Sequence, residues 1–172
     1  AEVRAQEYQE LTKEAKKYAD AQEVARRAQE MKEETTRIRE KALKEAAKRK
    51  EEKRVAKRQE VADFAVQFVG NPYVWGGTSL TNGADCSGFV MSVFASFGYA
   101  LPRVAAAQYG ASVKKDLSHM EVGDLVFYGN GISHVALYIG NGKVVHALNS
   151  NKGIVITDYN YDTPVGVGTY ME

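Results

Sequence analysis

The pattern of hydrophobic positions changes character twice along the 172 residues. From Ala1 to Glu60 apolar side chains are sparse and fall at steps of three and four: Tyr8, Leu11, Ala15 and Tyr18, then Val24, Ala28, Met31, Thr35, Ile38 and Ala42. That spacing lines one helix face. Ala, Glu, Lys, Arg and Gln supply most of the remainder, and no glycine or proline interrupts it, so the pattern predicts a long helical arm of roughly 90 Å at about 1.5 Å per residue. The two apolar runs do not share one heptad frame, which places a stutter between them. Thr35–Thr36 is the best hinge candidate, and beyond Leu43 the seam fades into charge.

At Val61 the chain turns strongly apolar. Val61, Phe64, Ala65 and Phe68 share one face of a short helix that Gly70 and Asn71-Pro72 end. Residues 72–84 carry three glycines and no helical period, and read as a loop. Phe89, Val90, Val93, Phe94 and Phe97 then form a wide apolar stripe on a helix closed by Gly98, and Leu101-Pro102-Arg103 opens a shorter helix through Gln108. After Gly123 the period becomes that of strands: 124–128, 134–139, 143–148, 153–159 and 165–170, separated by glycines, asparagines or Asp-Thr-Pro. Helices followed by antiparallel strands define an α+β domain over residues 61–172, preceded by the arm over residues 1–60.

Composition sharpens this division. All 15 glycines and three prolines lie after residue 69. The first 60 residues hold 18 basic against 14 acidic side chains, a net of +4, and the remainder 5 against 8, a net of −3. Acidic residues are interspersed among the basic ones, which argues against a nucleic-acid or membrane surface. The alanine-rich seam leaves two readings of the arm open, a coiled coil or spacer and a solvated single helix. No apolar run has transmembrane length, and the first residues do not form a signal peptide.

Candidate chemistry gathers on the single cysteine. Cys86 stands at the predicted start of the apolar helix, where the macrodipole favours a thiolate. It is either an activated nucleophile or an inert core thiol. A nucleophile needs a base and a group that orients the base, and His134 and His146 can supply both if they share a face. A three-residue turn at Gly140-Asn141-Gly142, pairing Ile139 with Lys143 and setting His146 opposite Ala136, gives that arrangement. A two-residue Asn-Gly turn shifts the register by one and parts them. One cysteine and two histidines have no paired metal-ligand spacing.

Pro72-Tyr73-Val74-Trp75-Gly76-Gly77, Asp85-Cys86-Ser87-Gly88-Phe89, Leu101-Pro102-Arg103 with Gln108, Gly123–Tyr128, Ser133-His134-Val135 and Val145-His146-Ala147 together resemble the NlpC-type cell-wall peptidases, papain-like cysteine endopeptidases of bacteria. The resemblance covers residues 61–172 and leaves the arm outside. It implies a papain-like fold and hydrolysis of peptidoglycan stem peptides between D-γ-glutamate and a diamino acid, without a cofactor. Cys86 would be the nucleophile, His134 its base and His146 the orienting group. Tyr73 and the Cys86 N–H would hold the oxyanion, with Trp75, Asp85, Ser87 and Ser133 near the substrate. Asp85 reads equally well as a helix N-cap, and Arg103 as structural. Val104-Ala105-Ala106-Ala107 lacks the hydroxyl that relatives often carry there.

These readings make the protein an exported, secreted or wall-associated hydrolase. The alternatives are an amidase of related Cys-His fold and a non-catalytic wall-binding scaffold using the arm. The arm's weak seam and opposite charge further suggest self-association or shielding of the cleft.

Overall fold

The computed structural model describes residues 2–172, which divide into two compact parts, the first ending at Lys50 and the second beginning at Glu51. Helix α1 (Glu2–Val66) is continuous. In the first part its tyrosines, Leu11, Met31 and Ile38 are all exposed. Glu23 accepts from both Arg26 and Arg27, the i,i+3 and i,i+4 pairing that supports an exposed helix. Thr35–Thr36 is not a break: their hydroxyls donate to the Met31 and Lys32 carbonyls at 2.7 and 3.0 Å, which satisfies them within the helix.

The second part carries, in order, β1 (Thr78–Ser79), β2 (Gly83–Ala84), α2 (Cys86–Ala95), α3 (Ala105–Ala111), β3 (Val113–Lys115), a 3-10 turn, β4 (Leu125–Tyr128), β5 (His134–Gly140), β6 (Lys143–Asn149), β7 (Gly153–Asp158) and β8 (Pro164–Thr169). β1 and β2 form a small hairpin, and the other six strands make one sheet in the order β3-β8-β4-β5-β6-β7. Every adjacent pair is antiparallel. The α+β reading therefore holds, and the five strands expected from alternation are present. β3 and the hairpin are additions, too short to show a period of two.

The main core lies between α2 and one face of this sheet. Phe89, Val90, Val93 and Phe94 pack with Leu125, Phe127, Val135, Leu137, Val145, Ala147 and Ile154, together with Val61 and Ala65 of α1. Each large side chain removed from water there contributes roughly 1.5–3 kcal/mol, so α2 is the pivot of the domain. A smaller cluster of Val126, Tyr128, Ala136 and Val144 covers the other face.

The last turns of α1 are bound to this domain by charge as well as by packing. Arg58 is buried and donates to Asp124 at 2.8 Å, to the Val122 carbonyl at 3.1 Å and to the Thr169 hydroxyl at 3.0 Å. Lys115 approaches the other Asp124 oxygen at 2.6 Å, and Arg54 pairs with Glu121 at 2.6 Å. Arg54 and, after it, Lys115 hold the Glu121 carboxyl down at about 2. Residues 51–60, which composition groups with the arm, thus contribute to the domain.

The β5–β6 connection decides where the histidines point. Gly140 pairs with Lys143, so the turn itself is the two-residue Asn141-Gly142, with φ of 53° and 73°. That is the left-handed pair an Asn-Gly hairpin turn requires. The expected three-residue loop is corrected here. A bulge between Tyr138 and Gly140 nevertheless shifts the ladder back, so that Tyr138 pairs with Val144 and Leu137 with Val145. Continued by one step, that register sets Ala136 opposite His146, as the shared-face arrangement requires.

Candidate active site

Cys86 is the first residue of α2, and its position is fixed by local contacts. Asp85 caps the helix, accepting from the Gly88 N–H at 2.8 Å, and also accepts from the Gly76 N–H at 3.0 Å. The loop before it is tied down by the Asp85 N–H on the Gly77 carbonyl at 3.1 Å and by the Val74 N–H on the Ala84 carbonyl at 3.2 Å. Gly88 explains the glycine in Asp85-Cys86-Ser87-Gly88-Phe89: a Cβ there would lie 2.1 Å from the Gly77 carbonyl oxygen. The helix start and the aromatic loop touch backbone to backbone, which only glycine permits.

Arg103 grips the Asp85 carboxylate with both arms of its guanidinium, at 2.9 and 2.7 Å. It also donates to the Ser87 hydroxyl at 3.0 Å, which itself donates to Asp85 at 3.3 Å. A carboxylate offers about four lone-pair sites, so Asp85 is fully engaged by the protein. Burial alone would raise its carboxyl, but Arg103 and the Gly88 and Gly76 N–H groups outweigh that and lower it. The N-cap reading of Asp85 is realised, and Arg103 has the structural role expected of it. Gln108, wholly buried, donates to the Ser87 and Pro102 carbonyls at 2.9 Å each, tying the Leu101-Pro102-Arg103 segment to the first turn of α2.

The two histidines are brought together. His134 Nε2 and His146 Nδ1 are 2.8 Å apart. His146 is fully buried, and Tyr161 meets its ring in a T-shaped contact at a centroid distance of 4.9 Å. Tyr161 also packs on Tyr128, whose hydroxyl donates to the Tyr159 carbonyl at 2.6 Å. His146 Nε2 has a further partner, the Thr157 hydroxyl at 3.1 Å. Pairing of His146 with Val155 and of Val144 with Thr157 sets Thr157 diagonally across from His146 on the same face.

A cleft of about 670 Å³ runs past these groups. Tyr73, Trp75, Asp85, Cys86, Ser87, Arg103, Ser133 and His134 line it, with Val104, Ala105, Ala106, Ile132 and Leu148 as apolar wall. Seven of the eight site residues expected from sequence meet here, and the eighth, His146, stands behind His134. Trp75 is almost fully exposed and forms a rim. The Cys86 thiol points at the Ser133 carbonyl, 3.9 Å away, at the entry to β5. Ile132, just before it, has a φ of 59°, a strained conformation for a β-branched residue that costs about 1–3 kcal/mol.

Protonation departs from expectation. Burial pushes the Cys86 thiol above its ordinary value, the Asp85 charge adds to this, and N–H groups of Val135, Ser87 and Cys86 only partly oppose it. The acidic cap offsets the positive helix end that was expected to favour thiolate. Burial lowers His134 to about 4 against a small opposing pull from Asp162. It lowers His146 to about 3, with the His134 charge adding. At neutral pH the resting arrangement is a neutral thiol beside neutral imidazoles. Tyr73 is raised, first by burial and then by the neighbouring Cys86 and Asp85 charges, and stays a hydrogen-bond donor.

Thr157 and Tyr161 were missed by sequence reasoning. Thr157 could have been found only by extending the strand register one pair further, from His146 to β7. Tyr161 lies in the β7–β8 connection, and no local pattern marks it.

The chain has relatives whose resemblance covers this domain. The NlpC/P60 family model matches residues 70–165. A probable endopeptidase p60 of Listeria seeligeri is 47% identical over 85 residues, covering 48% of this chain and 16% of that protein. A gamma-D-glutamyl-L-lysine dipeptidyl-peptidase of Bacillus subtilis is 42% identical over 103 residues, covering 57% of this chain and 34% of that protein. Among solved structures, an NlpC/P60 family protein from Bacillus cereus superposes with a TM-score of 0.64 at 31% identity, over 67% of this chain and 40% of that one. The chain therefore spans well under half the length of these relatives.

Proposed function

The chain belongs to the NlpC/P60 family, and from that premise we propose that it is a cysteine endopeptidase hydrolysing peptidoglycan stem peptides, at the bond between D-γ-glutamate and a diamino acid. The gamma-D-glutamyl-L-lysine dipeptidyl-peptidase activity for which the Bacillus subtilis relative is named supports that bond. The observation that carries the reading is the His134–His146 hydrogen bond in a domain whose cleft holds Cys86 beside His134.

With His146 on Nε2 of His134, the nitrogen left for the thiol is Nδ1. During attack the Sγ proton passes to Nδ1 as sulfur bonds to the substrate carbonyl carbon. The negative charge on the carbonyl oxygen meets the Cys86 N–H and the Tyr73 hydroxyl; the first N–H groups of a helix have no intrahelical acceptor. The imidazolium then protonates the departing amine, the C–N bond breaks, and a thioester remains. Water, deprotonated by His134, hydrolyses the thioester and restores the thiol. Asp85, Arg103 and Ser87 fix the helix start and the facing loop, while Trp75 and Ser133 border the bound peptide.

The catalytic domain comprises residues 61–172 together with the end of α1 from Glu51. The preceding helix is an arm whose exposed apolar seam, open in a single chain, supports self-association through a weak coiled coil. The site of action is the cell wall, reached by export; among the described residues no helix is long and apolar enough to cross a membrane.

Digestion of purified wall fragments followed by mass analysis tests the proposal. The expected products divide the stem after D-glutamate, and Cys86→Ala abolishes them while leaving the fold intact. Release of whole stems from the sugar chain would identify an amidase instead. No cleavage by the parent protein would favour the scaffold.

A further inference from the structure

We propose that Thr157 is a positioning residue that fixes the direction of the proton chain through both histidines; this rests on the peptidase reading of the same site. The Asp158 carbonyl oxygen can only accept a hydrogen bond. The Thr157 hydroxyl donates to the Asp158 carbonyl at 3.1 Å, and a hydroxyl has one proton to give. Its oxygen is left facing His146 Nε2, 3.1 Å away, as an acceptor. His146 must then carry its proton on Nε2. Its Nδ1 becomes a lone pair, which accepts from His134 Nε2 at 2.8 Å. His134 in turn keeps its Nδ1 unprotonated, and Nδ1 is the nitrogen that must receive the Cys86 proton.

Reversing the chain shows what the carbonyl prevents. If Thr157 donated to His146 Nε2, His146 would donate from Nδ1 to His134 Nε2, and the His134 proton would occupy Nδ1. A neutral imidazole in that tautomer cannot take a proton from the thiol. Both histidines are neutral in the resting site, so the choice between tautomers is open until something outside the pair decides it. Among the described residues no charged side chain fills that place: Tyr161 meets His146 in a T-shaped ring contact, and the one side-chain hydrogen bond of His146 beyond His134 is to Thr157. The same polarity serves the charged state. When His134 becomes an imidazolium it still donates from Nε2 to His146, which donates onward to Thr157, with no rearrangement.

The test uses the full chain with Thr157→Val, which keeps the branched shape without the hydroxyl, and Thr157→Ser, which restores the hydroxyl. Two readouts are taken: nitrogen-15 NMR of the histidine rings in the resting protein, and kcat and KM on wall fragments. The parent is expected to show both histidines protonated on Nε2. Thr157→Val is expected to lose that preference and to lower kcat about tenfold at unchanged KM, the rate equivalent of one hydrogen bond. Thr157→Ser is expected to recover both. A parent His146 protonated on Nδ1, or a Thr157→Val protein with the parent's tautomers and kcat, overturns the proposal. A parent that cleaves no wall fragment overturns the peptidase reading instead, and the ring tautomers alone then decide the role of Thr157.

Discussion

Cys86 illustrates how local contacts can hold a thiol at a helix start without charging it in advance. Its place at the first turn of α2 follows from the Asp85 cap and from the Gly88–Gly77 approach. That same cap puts an acidic group beside the sulfur, and burial does the rest, so the thiol is raised rather than lowered. Alkylation by iodoacetamide should therefore quicken steadily from pH 6 to 9, following the growing thiolate fraction. A rate plateau below neutrality would mean a preformed thiolate–imidazolium pair and would contradict this account. Asp85, open between cap and substrate contact in the sequence, is occupied by Arg103 and two backbone N–H groups.

At the scale of elements, the β5–β6 pair matters most. A two-residue Asn-Gly turn by itself would part the histidines, and the bulge at Ile139 restores the register that joins them. The joined pair is buried without charge, which links stability to pH. An unfolded histidine binds a proton near 6.5, whereas folded His134 and His146 do so only near 4 and 3. Between those values the unfolded chain holds more protons, so stability is complete above about 6.5 and declines as pH falls, by about 1.4 kcal/mol per pH unit for each histidine. Urea unfolding at pH 7, 6 and 5 measures this slope. His146→Gln should make it shallower, and a pH-independent midpoint in the parent would refute it. Glu121, depressed to about 2, loses its own contribution at lower pH, as the pH falls below about 4.5 toward 2.

At the scale of the whole molecule, the division between arm and domain is not where composition changes. Charged residues continue to Glu60, yet the compact domain begins at Glu51, because Arg58 and Lys115 together neutralise the buried Asp124. A chain beginning at Val61 should be less stable than one beginning at Glu51 by roughly 3–5 kcal/mol, the usual consequence of taking one partner from a buried ion pair. Thermal or urea unfolding of the two chains measures the difference. Equal stability would show that the arm ends where its composition does.

The sequence by itself determined the longer elements and the candidate chemistry. Helical and strand periods marked α2 and the five longer strands, because each buries a face wide enough to leave a repeat. The single cysteine, the Asp85-Cys86-Ser87-Gly88-Phe89 element and two histidines in neighbouring strands were legible because local order brings them close. The tertiary structure decided what depends on partners distant in the chain. It converted Asn141-Gly142 and a bulge into a shared histidine face, filled Asp85 with Arg103, and placed Thr157 behind His146. It also drew Arg58 into the core by way of Asp124 and raised the thiol by burial. Periodicity records which face of an element is buried, whereas hydrogen-bond direction and desolvation depend on what that face meets.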